Sequence, residues 1–155
     1  MKFVIVLSSL TLVLADTLFE TTFTPKVCNY KTKLGDTITI RYVQTFAVTP
    51  DTMHLQQLNG TVVVEIGTVD SGIDPIRFTL GAGSISVMGL EMGLFDMCVG
   101  EKRTITVPPE LGSPFIKQDY EFVHELTGAV FKYEVECLWI HHADSASNKP
   151  STNLF

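Results

Sequence analysis

Alternation of apolar and polar residues is the strongest signal in the chain. In "TITIRYV", Ile38, Ile40 and Tyr42 alternate with Thr39 and Arg41, the period of two shown by a half-buried β-strand. The "KTKLGD" before it, with Gly35 and Asp36, reads as the turn that leads in. "TVVVEI" is a β-branched run, and "IRFTL" sets Ile76, Phe78 and Leu80 against Arg77 and Thr79. "KRTITV" alternates again and is stopped by Pro108 and Pro109, because proline cannot donate to a strand ladder. "AVFKYEVECLW" sets Phe131, Tyr133, Val135, Cys137 and Trp139 against Lys132, Glu134 and Glu136, which predicts a closing strand with one buried face. The stretches "AVTPDTMHLQQLNG" and "GTVDSGIDP" hold no sustained period and read as a long connection or hairpin tip and as a turn-rich stretch. Residues 16–34 are mixed in pattern, and the polar, turn-rich residues 141–155 read as a flexible tail.

Between Gly83 and Gly100 the period changes. Val87, Leu90, Leu94 and Met97 fall three, four and three apart, which places them on one side of a helix of about two turns. Gly89 and Gly93 weaken that helix by about 1 kcal/mol each relative to alanine, so packing onto the sheet has to hold it. Strands, one short helix and a closing strand describe an α+β domain in which an antiparallel sheet wraps a helix.

A length of 155 residues suits one such domain. With 45% hydrophobic residues, 18% charged residues and a net charge of −6, the chain is neither disordered nor built for nucleic acid. Its first residues add an address: Met1-Lys2, then "FVIVLSSLTLVLA", then acidic Asp16 read as a secretory signal peptide over 1–15. The apolar run is shorter than the roughly 20 residues of a membrane span, so no membrane contact is expected after cleavage. Export makes cysteines candidates for disulfides, and Cys28, Cys98 and Cys137 allow at most one internal pair. It also gives meaning to Asn59-Gly60-Thr61 as a glycosylation sequon.

The residue sets of hydrolytic and metal chemistry do not converge. There is no Gly-x-Ser-x-Gly, no Cys-x-x-Cys and no His-Glu-x-x-His, and His141-His142 has no third ligand near it in sequence. Glu91, Glu110, Glu134 and Glu136 are dispersed, so no acid–base pair is indicated. Neither a metal nor a cofactor is expected. The chain does supply many apolar and aromatic residues near loops, including Phe46, Phe115, Tyr120, Phe122 and Trp139; most belong in a core, and a subset could line a groove.

"GDTITIRY", "PIRFTLGAGSISVMGLEMGLFDMCVGEKRTITVPPELG" and "AVFKYEVECL" occur in the order of the FKBP-type peptidyl-prolyl isomerase pattern. The chain resembles that family over residues 35–140. The most specific part runs from Leu80-Gly81 through Gly89-Leu90-Glu91 and Gly100-Glu101-Lys102-Arg103 to Pro109-Glu110-Leu111-Gly112. The resemblance implies an FKBP-like twisted antiparallel sheet of five to six strands around one short helix. The implied reaction is rotation about X-Pro bonds in proline-containing polypeptides of the secretory pathway. Such rotation takes tens to hundreds of seconds unaided, behind a barrier of about 18–20 kcal/mol from amide resonance. A dry apolar cradle that favours the twisted amide lowers it without nucleophile, metal or base.

Carried over by position, Tyr42, Asp70, Val87, Leu90 and Tyr133 take the catalytic places, and Ile76, Ser86, Phe131 and Ser113 take substrate-contacting ones. Ile76 and Tyr133 each replace a family phenylalanine, and Val87 is where a backbone N–H meets the ligand. The family's Phe-Asp-Ser-Ser step corresponds either to Val63-Val64 or to Val69-Asp70-Ser71. The loop after Gly112 has Ser113-Pro114 where the family brings a pocket tyrosine, so weak binding of the family's macrolides is expected. The secretory branch of the family pairs a cysteine seven residues before its Gly-Asp with one in its Met-Cys-x-Gly-Glu-Lys-Arg step, which implies a Cys28–Cys98 disulfide and leaves Cys137 a buried thiol. The chain ends "STNLF", not in a Lys/His-Asp-Glu-Leu retrieval signal, so the expected location is the endoplasmic reticulum lumen or outside the cell, as a monomer. Two other readings stand beside the isomerase: a catalytically impaired chaperone-like or partner-binding module, and a secreted effector that acts through the 43–60 connection.

Overall fold

The computed structural model describes residues 18–47, 53, 56–112 and 129–143. The signal segment 1–15, Ser113, Phe115, Tyr120, Phe122 and the chain beyond Ala143 lie outside the described residues. Strands β1 (Phe19–Phe23), β2 (Thr37–Ala47), β3 (Val62–Ile66), β4 (Ile76–Thr79), β5 (Lys102–Val107) and β6 (Val130–His141) form one sheet, and α1 (Met88–Gly93) is its helix. The strand order is β1-β5-β6-β2-β3, with β4 also paired to β2. All of these pairings are antiparallel. The expected α+β architecture, a sheet around one short helix, is the one that forms.

The alternating strands bury the faces their periods predict. Ile38 and Ile40 of β2, Ile105 and Val107 of β5, and Cys137 of β6 are almost wholly buried together with Leu90 and Leu94. The helix glycines have a packing role. A Cβ on Gly93 would lie 2.6 Å from Ile105 Cδ1, and one on Gly89 would lie 2.8 Å from Val107 Cγ1. The residues that weaken α1 in isolation are therefore those that let it settle onto β5. The helix is shorter than the apolar spacing suggests: it ends at Gly93, and Asp96 takes a positive φ of 61°. Met97 reaches the core from the turn beyond, where its N–H donates to Thr32 Oγ1 at 2.9 Å and its carbonyl accepts from the Thr32 N–H at 2.8 Å.

Three features correct the sequence reading. The mixed N-terminal segment contains a strand, β1, which pairs with β5 from Phe19↔Ile105 to Phe23↔Lys102. It is an edge strand exposed over most of its length, so it carries no apolar period. Trp139 does not share the buried face of β6: the register passes from Thr39↔Trp139 to Ile40↔Cys137, which leaves Leu138 as the extra residue of a β-bulge. The bulge turns Trp139 outward, 64% exposed, and brings Ile140 into the core at 7%. His141, read as the start of the tail, still belongs to β6, and the Ala143 N–H donates to Asp36 Oδ1 at 3.3 Å.

Behind the C-terminal end of α1 lies a buried clasp. Cys28 and Cys98 form the implied disulfide, with Cα atoms 5.5 Å apart and a separation of 70 in sequence. Glu101 accepts the Cys98 N–H at 2.9 Å and the Arg103 Nε–H at 2.7 Å. Arg103 also donates to the carbonyls of Gly93, Phe95 and Asp96 at 2.7–2.8 Å. Both side chains are nearly inaccessible, at 5% and 3%, and such a buried pair is tolerable because its remaining hydrogen-bonding capacity is filled. Cys137 is a buried free thiol.

Candidate functional site

The groove begins with strand parity. On β6, Tyr133 lies opposite Ile105 of β5 and Gln44 of β2, and Phe131 lies opposite Val107 and Phe46. These residues share the sheet face on which α1 rests, because Ile105 and Val107 are the side chains that meet Gly93 and Gly89. Tyr42, two positions before Gln44, reaches the same face, and its ring meets the Tyr133 ring edge-on with centroids 5.6 Å apart. Phe46 and Phe131 form a second ring pair with centroids 5.0 Å apart. Leu90, 2% exposed, lies beneath them from α1, and Tyr42, Phe46, Leu58, Ile76, Val87 and Leu111 are partly buried against this cluster.

Five of the residues singled out in sequence thus converge with Phe131: Tyr42, Ile76, Val87, Leu90 and Tyr133. Val87 is the extended N-cap residue of α1, its carbonyl accepting from the Glu91 N–H at 3.2 Å. Among the described residues the Val87 amide has no acceptor. Ser86, beside it, is exposed. The preceding loop is tied back to α1 by Glu91 Oε1, which accepts the Gly81 N–H at 2.7 Å.

Asp70 is not brought into the cluster. Val69-Asp70-Ser71 belongs to an exposed turn in which Ser71 Oγ donates to the Thr68 carbonyl at 3.0 Å. The strand is the other segment considered, Val62–Ile66, whose pairing sets Ile66 opposite Tyr42 and Val64 opposite Gln44. Sequence reasoning did not single out Ile66; its place opposite Tyr42 follows only from the β2–β3 register. Asn59 lies in an exposed turn, its N–H donating to the Gln56 carbonyl at 3.1 Å.

Burial raises the Tyr42 hydroxyl pKa above its ordinary 10.0. Burial, and secondarily the neighbouring Tyr42, raises that of Tyr133 further. Both are neutral O–H groups at physiological pH, able to donate a hydrogen bond, and neither has a partner among the described residues. An apolar cradle with a few such donors suits a ligand held by shape and a small number of backbone contacts. Among the described residues no group of three or more His, Cys, Asp or Glu is placed to hold a metal, and no helix is long and apolar enough to cross a membrane. A hollow of about 380 Å³ is lined by Arg41, Tyr42, Val43, Lys102, Thr104 and Glu134, among others. Its cations are compensated, since Glu136 accepts from Arg41 Nε at 2.9 Å and lies 3.5 Å from Lys102.

Residues 28–138 match the family model described as FKBP-type peptidyl-prolyl cis-trans isomerase. The chain is 40% identical over 88 residues to a protein named FK506-binding protein 2 from Aspergillus fumigatus, which covers 55% of this chain and 53% of that one. It is 36% identical over 93 residues to the protein of the same name from Dictyostelium discoideum, covering 58% and 56%. It thus spans about half the length of the curated relatives it matches. A crystal structure of the three FKBP domains of wheat FKBP73 superposes with a TM-score of 0.57 at 17% identity, over 79% of this chain and 45% of that one; at that identity the likeness concerns the fold.

Proposed function

Because the chain belongs to the FKBP-type peptidyl-prolyl cis-trans isomerase family, we propose that it catalyses cis–trans isomerisation of X-Pro bonds in polypeptides folding in the secretory pathway. The observation that supports this reading is that Tyr42, Tyr133, Leu90, Ile76 and Val87 belong to one apolar cluster, with the Val87 backbone amide uncommitted beside it. The proline ring sits against the apolar floor, and the Val87 N–H takes a carbonyl of the bound chain. Water excluded from the cradle cannot solvate the planar, more polar amide, so the planar ground state loses more than the twisted transition state. Ser86, Phe131 and Ser113 take flanking contacts.

Asp70, on its exposed turn, has no part in this mechanism unless substrate brings the turn inward. The valine and isoleucine wall of β3 offers less aromatic surface than the family pattern, which supports weak macrolide binding and also keeps the catalytically impaired, partner-binding module as a second reading. The disulfide supports an oxidising location, the endoplasmic reticulum lumen or outside the cell, after removal of residues 1–15, and the exposed turn at Asn59 supports glycan attachment. The domain acts as a monomer. The test is relaxation of a short X-Pro peptide toward its cis–trans equilibrium at pH 7: micromolar protein accelerates it, and a rate equal to buffer would sink the isomerase in favour of the binding module.

A further inference from the structure

Tyr133 carries a hydroxyl where the family pattern has phenylalanine, so this group has no counterpart in the mechanism the family implies. Its side chain belongs to the buried cluster at 3% exposure, yet the hydroxyl has no hydrogen-bond partner among the described residues. That oxygen is not among the buried unpaired side-chain atoms, so it reaches the surface of the cluster as a donor that no described protein group engages. Gln44 stands opposite it in register and is likewise not bonded to it. The ring is packed against the edge of Tyr42 at 5.6 Å and stands opposite Ile105 in the strand pairing, which restricts where the hydroxyl can reach. Resting on the isomerase reading above, we infer that the Tyr133 hydroxyl is a catalytic donor, giving its hydrogen bond to the prolyl nitrogen of the substrate amide as that amide twists.

The direction of the bond follows from amide electronics. In the planar amide the nitrogen lone pair is delocalised into the carbonyl, and the nitrogen accepts no hydrogen bond. Rotation breaks the conjugation, returns the lone pair to nitrogen and withdraws negative charge from oxygen. A donor aimed at oxygen therefore favours the ground state, whereas one aimed at nitrogen is engaged only near the transition state and raises kcat. No covalent bond forms or breaks, and the proton stays on the phenol. Burial keeps that phenol protonated well into the alkaline range, so the contribution does not fade at neutral pH.

Tyr133→Phe removes the oxygen and keeps the ring. In the short X-Pro peptide assay the variant is expected to lose about tenfold in kcat with KM within about twofold. Its urea stability should match that of the wild type, since the hydroxyl bonds no described residue of the folded protein. Unchanged kcat overturns the inference while leaving the isomerase standing. A raised KM with unchanged kcat also overturns it, because the hydroxyl would then hold substrate and transition state equally. Wild-type protein that fails to turn over the peptide removes the isomerase reading and the inference with it.

Discussion

Behind the C-terminal end of α1, Arg103 donates to three carbonyls and to Glu101, Glu101 accepts the Cys98 amide, and the Cys28–Cys98 bridge closes over both. Elsewhere in the same core, the Val87 amide at the N-cap of α1 and the hydroxyls of Tyr42 and Tyr133 on the sheet have no acceptor among the described residues. The fold thus holds one set of polar groups that are answered internally and another that are left open to a ligand. Buried polar groups that satisfy one another make a rigid clasp whose loss costs stability. Donors left open forgo that stabilisation, and their removal should cost function. Substitutions in the two sets are expected to fall into these two classes.

The largest expected effect is at the clasp. Arg103→Met leaves Glu101 buried without its cation and three carbonyls without a donor, and should lower unfolding stability in urea by about 3–5 kcal/mol; a loss near zero would show the clasp is not a unit. Replacing both bridged cysteines by serine should cost up to about 4 kcal/mol in the chain-entropy model, read from the shift in urea midpoint at constant slope.

Cys137 lies beside the clasp, its carbonyl accepting the Gly100 N–H at 2.7 Å. Burial pushes its thiol from an ordinary 9.0 up to about 11. The folded state then holds a proton that the unfolded chain gives up between pH 9 and about 11. Stability is flat below pH 9 and falls through that window, by about 2–3 kcal/mol for a shift of this size. Cys137→Val should flatten this part of the pH–stability curve; an unaltered slope would assign the fall to the tyrosines. The smallest effect is expected at Trp139, turned outward by the bulge: Trp139→Ser should change stability by no more than about 0.5 kcal/mol, and a loss of several times that would mean its exposed face is covered by something.

What sequence patterning revealed and what it hid follow the same division. The alternating runs of β2, β4, β5 and β6 were legible because each buries one face, and the frame from Gly89 to Gly112 was legible as a family pattern because its glycines and the Glu101–Arg103 step meet demands of close packing and buried charge. β1 was not, since an exposed edge strand has no reason to alternate. Trp139 was misplaced because one unpaired residue, Leu138, reverses the parity of everything after it, and nothing in "VECLWI" announces where a bulge falls. In the apolar cluster, Tyr42, Leu90 and Tyr133 were singled out through the family pattern, whereas the place of Ile66 opposite Tyr42 needed the β2–β3 register and Asp70 was chosen from a segment that forms a turn. Groove walls come from strand pairing across distant segments, which local periodicity does not encode.

The central claim, that the open donors around Tyr42 and Val87 mark where X-Pro bonds are turned over, is tested most directly by proline-limited refolding of a client protein with the wild type and Tyr42→Ala at equal micromolar concentration. Tyr42 is only half-buried, so the variant should remain folded under assay conditions, as its urea curve will show. The wild type is predicted to accelerate the slow phase and the variant to lose at least about tenfold of that acceleration. Equal acceleration by a folded Tyr42→Ala would contradict the groove as the catalytic site.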